Sequence, residues 1–161
     1  MPQDLPTDYP PLAPVLTVGD AGKALGCYSR AFGAEEVCRL IDPATGRMAH
    51  LEIRLPGGPL LILEERPAPN GTDPGPSAGS PVAPRMRLCL FVADADAVTA
   101  RCAGAGLRIL QPCKTHFHGH RCSLVEDPEG HQWMISQAVE RLGPSEMQAR
   151  WNSLRADPPR R

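Results

Sequence analysis

No run of about 18 apolar residues occurs in this 161-residue chain, and its first residues are Pro-rich and acidic rather than basic and then apolar. Neither a membrane helix nor an export signal is expected, so the reading is a cytoplasmic protein. An excess of one charge is also missing. Seventeen Lys and Arg stand against 18 Asp and Glu, for a net charge of -1. Such a balance makes no field that would draw the chain to nucleic acid or anionic lipid, and a small-molecule partner is the expectation. The six cysteines include no CxxC pair, and several fall at apolar positions of periodic segments, which points to buried free thiols in a reducing compartment. There is no GxSxG, no P-loop, no GxGxxG after a strand and no Cys–His nucleophile pattern. The glycines of Ala103-Gly104-Ala105-Gly106 close a helix instead of opening one.

What the chain has in quantity is proline and glycine, 19 and 15 residues, and both are clustered. The clusters set off a flexible N-terminal segment (1–12), a connector (66–85) with almost no large apolar side chain to offset its ordering entropy, and a soft end after 155. Between them lies one domain, 13–143, long enough to bury a core of its own. It divides into a first module, 13–65, and a second, 86–137, and the second repeats the first. Residues 15–18 are β-prone, Asp20 is an N-cap, Leu25, Tyr28 and Phe32 recur at helical spacing, and Gly33 is a stop. Strand 88–92, cap Asp94, the stripe Val98 and Cys102, and stop Gly106 repeat that order. Three strand-like runs follow each helix: 36–41, 47–55 and 59–65, then 107–110, 120–126 and 131–136. In 47–55, Leu51, Ile53 and Leu55 alternate with His50, Glu52 and Arg54, so one face packs inward and the other is half wet. After Gly143-Pro144, Ser145 reads as the cap of a C-terminal helix, 144–155, whose Met147, Trp151 and Leu154 form a stripe that docks on the domain or on a partner subunit.

Several ordered pieces resemble the glyoxalase/bleomycin-resistance/dioxygenase (vicinal oxygen chelate) superfamily, and within it the branch of the phosphonate-operon B protein. These are VGDAGKALGCYSRAFGAEEV, HLEIRLPGGPLLILEE, GSPVAPRMRLCLFVADADAV, THFHGHRCSLVEDPEGHQWMISQ and AVERLGPSEMQAR. The resemblance implies an α+β fold of two βαβββ modules whose curved mixed sheets surround a cavity, in a homodimer. It implies less about chemistry, because this scaffold hosts isomerases, dioxygenases, thiol transferases and plain drug-binding proteins.

Metal-dependent members of that superfamily carry ligands on the first, fourth, fifth and eighth strands. In register, these positions hold Ala13, Glu64, Arg87 and Met134. Three of the four are not ligands for a hard or borderline divalent cation, so no metal cofactor is expected. Arg87 would put a fixed positive charge where relatives hold a metal, with Glu64 as its partner across the cavity, to orient an anionic or polar ligand. The other reading has Arg87 pointing to solvent at the mouth. His116, His118 and His120 alternate, and on an extended strand they would share a face, a spacing that suits either a metal or a ligand contact. The family's aromatic-Gly turn at this place makes them rim histidines instead. His50, beside Glu52, is either hydrogen-bonded within the sheet or lines the pocket. Phe117 is a candidate for stacking on a ligand, Met134 for the cavity lining and Trp133 for the core. Arg121 is a ligand contact or a structural ion-pair former.

The leading expectation is therefore a metal-free protein that binds a drug or metabolite through His50, Glu52, Glu64, Arg87, Phe117, His118, Arg121 and Met134. The alternative is a lyase, isomerase or dioxygenase that uses a divalent metal, or acid–base work by Glu64 with His50 or His118. A third possibility is an interaction protein with a vestigial pocket.

Overall fold

The computed structural model describes residues 9–66 and 86–156. The bulk of the expected connector and most of the N-terminal segment lie outside the described residues. The elements follow in the order β1 (Val15–Val18), α1 (Ala21–Phe32), β2 (Glu35–Ile41), β3 (Met48–Arg54), β4 (Leu60–Glu65), β5 (Leu88–Phe91), α2 (Ala95–Gly104), β6 (Arg108–Thr115), β7 (His120–Glu126), β8 (Gln132–Ala138) and α3 (Pro144–Ala156). Two βαβββ modules and a terminal helix are thus present. No helix among the described residues is long and apolar enough to cross a membrane.

Local chemistry explains the helix boundaries. Asp20 is extended, and its carboxylate accepts from the Lys23 backbone N–H at 2.9 Å; Asp94 does the same for Ala97 at 2.9 Å. Each cap satisfies one of the donors a helix start leaves unpaired, for about 1 kcal/mol. At the far end of α1, Gly33 sits at φ 77, where a side chain would be strained, and its N–H returns to the Ser29 carbonyl. The C-terminal helix begins one residue earlier than its expected Ser145 cap. Pro144 takes the first helical position, where its missing N–H costs nothing, and the Gly143 carbonyl accepts from Met147 N–H.

The strands form two separate four-stranded sheets, ordered β1-β4-β3-β2 and β5-β8-β7-β6, each with one parallel pair (β1/β4 and β5/β8). Among the described residues no strand of one sheet pairs with a strand of the other, so these eight strands do not close into one curved sheet within a chain. The modules meet instead through α1, which lies against α2. One core runs through both: Leu51, Ile53 and Leu63 from the first sheet, Tyr28 and Phe32 from α1, and Val125, Trp133 and Ile135 from the second sheet. The Tyr28 and Phe32 rings meet Trp133 at centroid distances of 5.4 and 4.7 Å. Beneath Trp133, the buried Asp127 accepts from Tyr28 OH at 2.6 Å and from Trp133 Nε1 at 3.2 Å, tying a helix of module one to the β7–β8 turn of module two.

One strand and one residue of the expected connector depart from the sequence reading. Strand β6 extends to Thr115, well past the expected 107–110, and its ladder with β7 is irregular around Gln111 and Lys114. Pro112 lies within it and has no N–H to give, and the register shift accommodates that loss. Arg66, expected as the first residue of the connector, is instead fastened: its N–H donates to the Val18 carbonyl and its guanidinium pairs with Glu129.

Candidate functional site

Each sheet has one face on the helices and one open face. On the second sheet, register places Cys89, Phe91, Leu124, Met134 and Ser136 on the open face, because Leu88, Leu90, Trp133 and Ile135 pack inward. A cavity of about 80 Å³ lies there, bounded by Arg87, Gln111, His116, His118, Cys122 and Met134 among others. Three of the residues expected to bind ligand, Arg87, His118 and Met134, are therefore brought together by one module. Arg87 is exposed, and its Nε donates to Gln132 Oε1 at 3.0 Å rather than reaching Glu64. Glu64 lies on the other sheet, exposed on β4 opposite Thr17. Among the described residues, the Arg87–Glu64 ion pair anticipated across a cavity is not formed within one chain.

The three histidines do not lie along one extended strand. Residues 116–119 make the β6–β7 hairpin turn, with Gly119 at φ 79 and its N–H on the His116 carbonyl. A Cβ at Gly119 would come within 2.8 Å of the Glu140 carbonyl oxygen, so glycine is required there twice over. The turn folds the imidazoles onto one another. His116 stacks on His118 with centroids 5.3 Å apart, and His118 meets His120 edge-on at 5.3 Å. His120 Nδ1 also lies 2.9 Å from Ser136 Oγ. Phe117 turns away from the cavity's lining toward α3, its ring 5.1 Å from Trp151. Among the described residues, no three His, Cys, Asp or Glu side chains converge into a metal-holding group.

Burial lowers the pKa of both His116 and His118 below the ordinary 6.5; His118 and Lys114 add to the first shift, and His120 to the second. A folded state that prefers neutral imidazole is stabilised in full above the unfolded pKa and loses that contribution as pH falls through the folded values. Equilibrium denaturation between neutral pH and about pH 5 is therefore expected to show a steeper loss for the wild type than for His116→Gln/His118→Gln. Equal slopes would contradict the arrangement.

The open face of the first sheet carries the second cluster. Glu52, on the face expected to be half wet, is only 5% exposed. It accepts from Tyr9 OH at 3.1 Å, and His50 Nε2 lies 2.9 Å from the same Oε1. Tyr9 belongs to the segment expected to be flexible, and no pattern in that Pro-rich stretch marks it. Leu51 pairs with Leu63, so His50 and Glu64 come next in line on the open side of adjacent strands. Arg121 does not join either cluster. It donates to Asp96 of α2 through Nε and Nη2 at 2.6 and 2.7 Å, on the helix side of its sheet, which is the ion-pair reading of this residue. A roomier groove, about 660 Å³, lies on the helix side as well, between α1 and the β7–β8 turn, floored by the Tyr28–Asp127 bond.

The sequence profile of the Glyoxalase/Bleomycin resistance protein/Dioxygenase superfamily matches residues 12–135. The chain belongs to this superfamily. It is 32% identical over 147 residues to an uncharacterized protein of Mycobacterium bovis, covering 89% of this chain and 93% of that one. Among solved structures it is similar to TioX from Micromonospora sp. ML1 (26% identity, TM-score 0.58, covering 80% of this chain and 99% of that one). It shares its fold with the PhnB protein from Bacillus cereus (17% identity, TM-score 0.62, covering 80% and 100%).

The superfamily's metal-ligand positions can be judged against this chain. Ala13 offers no donor, Arg87 is a cation held by Gln132, Met134 offers a thioether, and Glu64 alone is a carboxylate. Those side chains do not fit a divalent metal at this place, since zinc, manganese and iron sites of this kind need several imidazole or carboxylate donors. Two supporting contacts escaped the sequence reading: that of Gln132, which orients Arg87, and that of Tyr9, which covers Glu52. Gln132 had a visible signal, lying two residues before Met134 on the same face of β8.

Proposed function

We propose that this superfamily member is a metal-free binding protein that encloses a small, partly aromatic or amphipathic molecule against the open faces of its sheets, as a homodimer in the cytoplasm. The observation that carries the reading is the site chemistry at the superfamily's ligand positions. A guanidinium, a thioether and a methyl group stand there with one carboxylate, while the cavity beside them keeps an apolar floor of Leu124 and Met134. Dimerisation is supported by what one chain leaves uncovered. Leu40, beside His50 on the first sheet, is 55% exposed, and Phe91 on the second is 67% exposed. Glu64 on one open face and Arg87 on the other are complementary charges, and a second copy would let them meet. The six thiols are all free, as suits a reducing compartment.

Elemental analysis of untagged protein grown with supplemented Zn, Mn, Ni and Fe is expected to find none at stoichiometric level; one metal per chain would overturn the reading. In a thermal-shift screen of aromatic antibiotics, quinones and glutathione adducts, a ligand at a hundredfold excess over its Kd is expected to raise Tm by about 5–10 °C. A screen with no shift would favour a vestigial pocket.

One observation favours a second reading, an enzyme. The buried Glu52 carboxylate beside His50 would fix one tautomer and leave Nδ1 as a base toward the open face, the arrangement that general acid–base catalysis uses.

A further inference from the structure

We propose that the cavity on the open face of the second sheet receives an oxyanionic group of the ligand, a carboxylate or a phosphoryl group, held by Arg87 with His116 and His118. The inference deepens the binding-protein reading by naming the chemistry of one end of its ligand. The volume, about 80 Å³, has room for about five waters, which is the scale of one compact polyatomic group rather than of a whole drug.

The lining selects the sign of the charge. Its titratable groups are a guanidinium, two imidazoles and a thiol, with no carboxylate among them. Among the described residues Arg87 has no acidic partner at salt-bridge distance. Its orientation is nevertheless set. Nε donates to Gln132 Oε1, Gln132 is buried to 9% exposure and donates through Nε2 to Glu126 Oε2 at 3.2 Å, and Glu126 is itself paired with Arg108. That chain of bonds engages Nε and leaves the two terminal nitrogens of Arg87 as a fork for two oxygens. Gln111 supplies a neutral donor on the wall.

The stacked imidazoles make the site respond to pH. The groups around them are Lys114 from β6, His120 and Cys122 from β7, and Arg87 ahead of β5; β8 contributes Met134 and Ser136, which carry no charge. Glu140, whose backbone abuts Gly119, has its carboxylate on Arg150 of α3 at 2.8 Å. Burial, and then the neighbouring cationic groups, hold both rings neutral below their ordinary range, and among the described residues of this ring no unengaged negative charge offsets that. A bound oxyanion supplies the missing counter-charge, and proton uptake follows binding. Affinity then rises as pH falls from the bound-state to the free-state pKa, up to about tenfold per pH unit for each proton taken up, and levels off below.

The test is proton NMR titration of the histidine ring signals in the full chain, assigned with His116→Gln and His118→Gln, with added inorganic phosphate or acetate and with chloride at equal ionic strength as the reference. The expected result is an upward move of the His116 and His118 pKa values with phosphate, acetate or both, none with chloride, and loss of the response in Arg87→Met. A response to phosphate alone assigns a phosphoryl group, and one to acetate alone a carboxylate. Ring pKa values that ignore both anions, or that move equally in Arg87→Met, would overturn the proposal. All the residues involved belong to one module. A protein that is monomeric and silent in the ligand screen would therefore remove the enclosed-ligand reading and leave this response standing, whereas ligand binding without the response would remove only this inference.

Discussion

Replacing Asp127 by alanine is expected to lower the stability of the fold by about 3–5 kcal/mol, the largest effect of any single substitution considered. The carboxylate is 4% exposed and accepts four hydrogen bonds: Tyr28 OH at 2.6 Å, Trp133 Nε1 at 3.2 Å, Glu129 N–H at 3.0 Å and His131 N–H at 2.9 Å. Alanine leaves all four donors without that partner, the Tyr28 hydroxyl and Trp133 Nε1–H in the interior and the two backbone N–H groups at its edge. The two side-chain donors come from different modules, so the loss also loosens the joint between α1 and the second sheet. Burial, followed by the charge of Asp127, raises the Tyr28 hydroxyl pKa far above its ordinary value, so this tyrosine stays a donor at any physiological pH. Urea unfolding followed by tryptophan fluorescence checks the claim. Tyr28→Phe, which removes one donor and keeps the ring packing, is expected to cost about 1 kcal/mol. A loss under about 1 kcal/mol for Asp127→Ala would show that water replaces the carboxylate and that the joint does not depend on it.

Phe91→Asp is expected to turn the proposed dimer into a monomer while leaving the fold intact. Phe91 is 67% exposed and meets His120 edge-on at 5.9 Å, outside the core, so the isolated chain loses little when the ring is removed. In a dimer that covers the open faces, the same ring would be a central aromatic anchor. Losing it and burying a carboxylate is expected to weaken association by about 2–4 kcal/mol, roughly 30- to 1,000-fold in the dimer Kd. Sedimentation velocity of wild type and variant over a concentration series measures this directly, with far-UV circular dichroism as the check on folding. A wild type that sediments as a monomer at tens of micromolar, or a variant with unaltered association, would refute the dimer.

The repeat was legible because its signals are local. Asp20 and Asp94 cap helices through backbone contacts three residues away, and Gly33 stops α1 by tolerating a left-handed conformation. Alternation along β3 sorted Leu51 and Ile53 inward without reference to any other element. The candidate site was legible in part through the resemblance. The superfamily's ligand positions singled out Arg87 and Met134, and the structure puts both in one cavity with His118. Glu52 was expected on a wet face because parity along a strand carries no information about what lies over it. Tyr9 lies over it, and that contact spans 43 positions of sequence. Arg121 had two open readings because a charged side chain near a hairpin has candidate partners on both sides of the sheet; Asp96, 25 positions away, decides between them.

By itself, then, the sequence determined the element order, the caps and the stop of α1, and the inward set Leu51 and Ile53 of β3. All of these depend on backbone geometry and residue type over a few positions. Only the tertiary structure decided that the eight strands form two separate sheets joined through α1 and α2, that Asp127 fastens the modules, that Gln132 rather than Glu64 holds Arg87, and that a hairpin turn stacks His116 on His118. Those outcomes depend on contacts between residues distant in sequence, where many pairings satisfy the same local pattern and packing selects one.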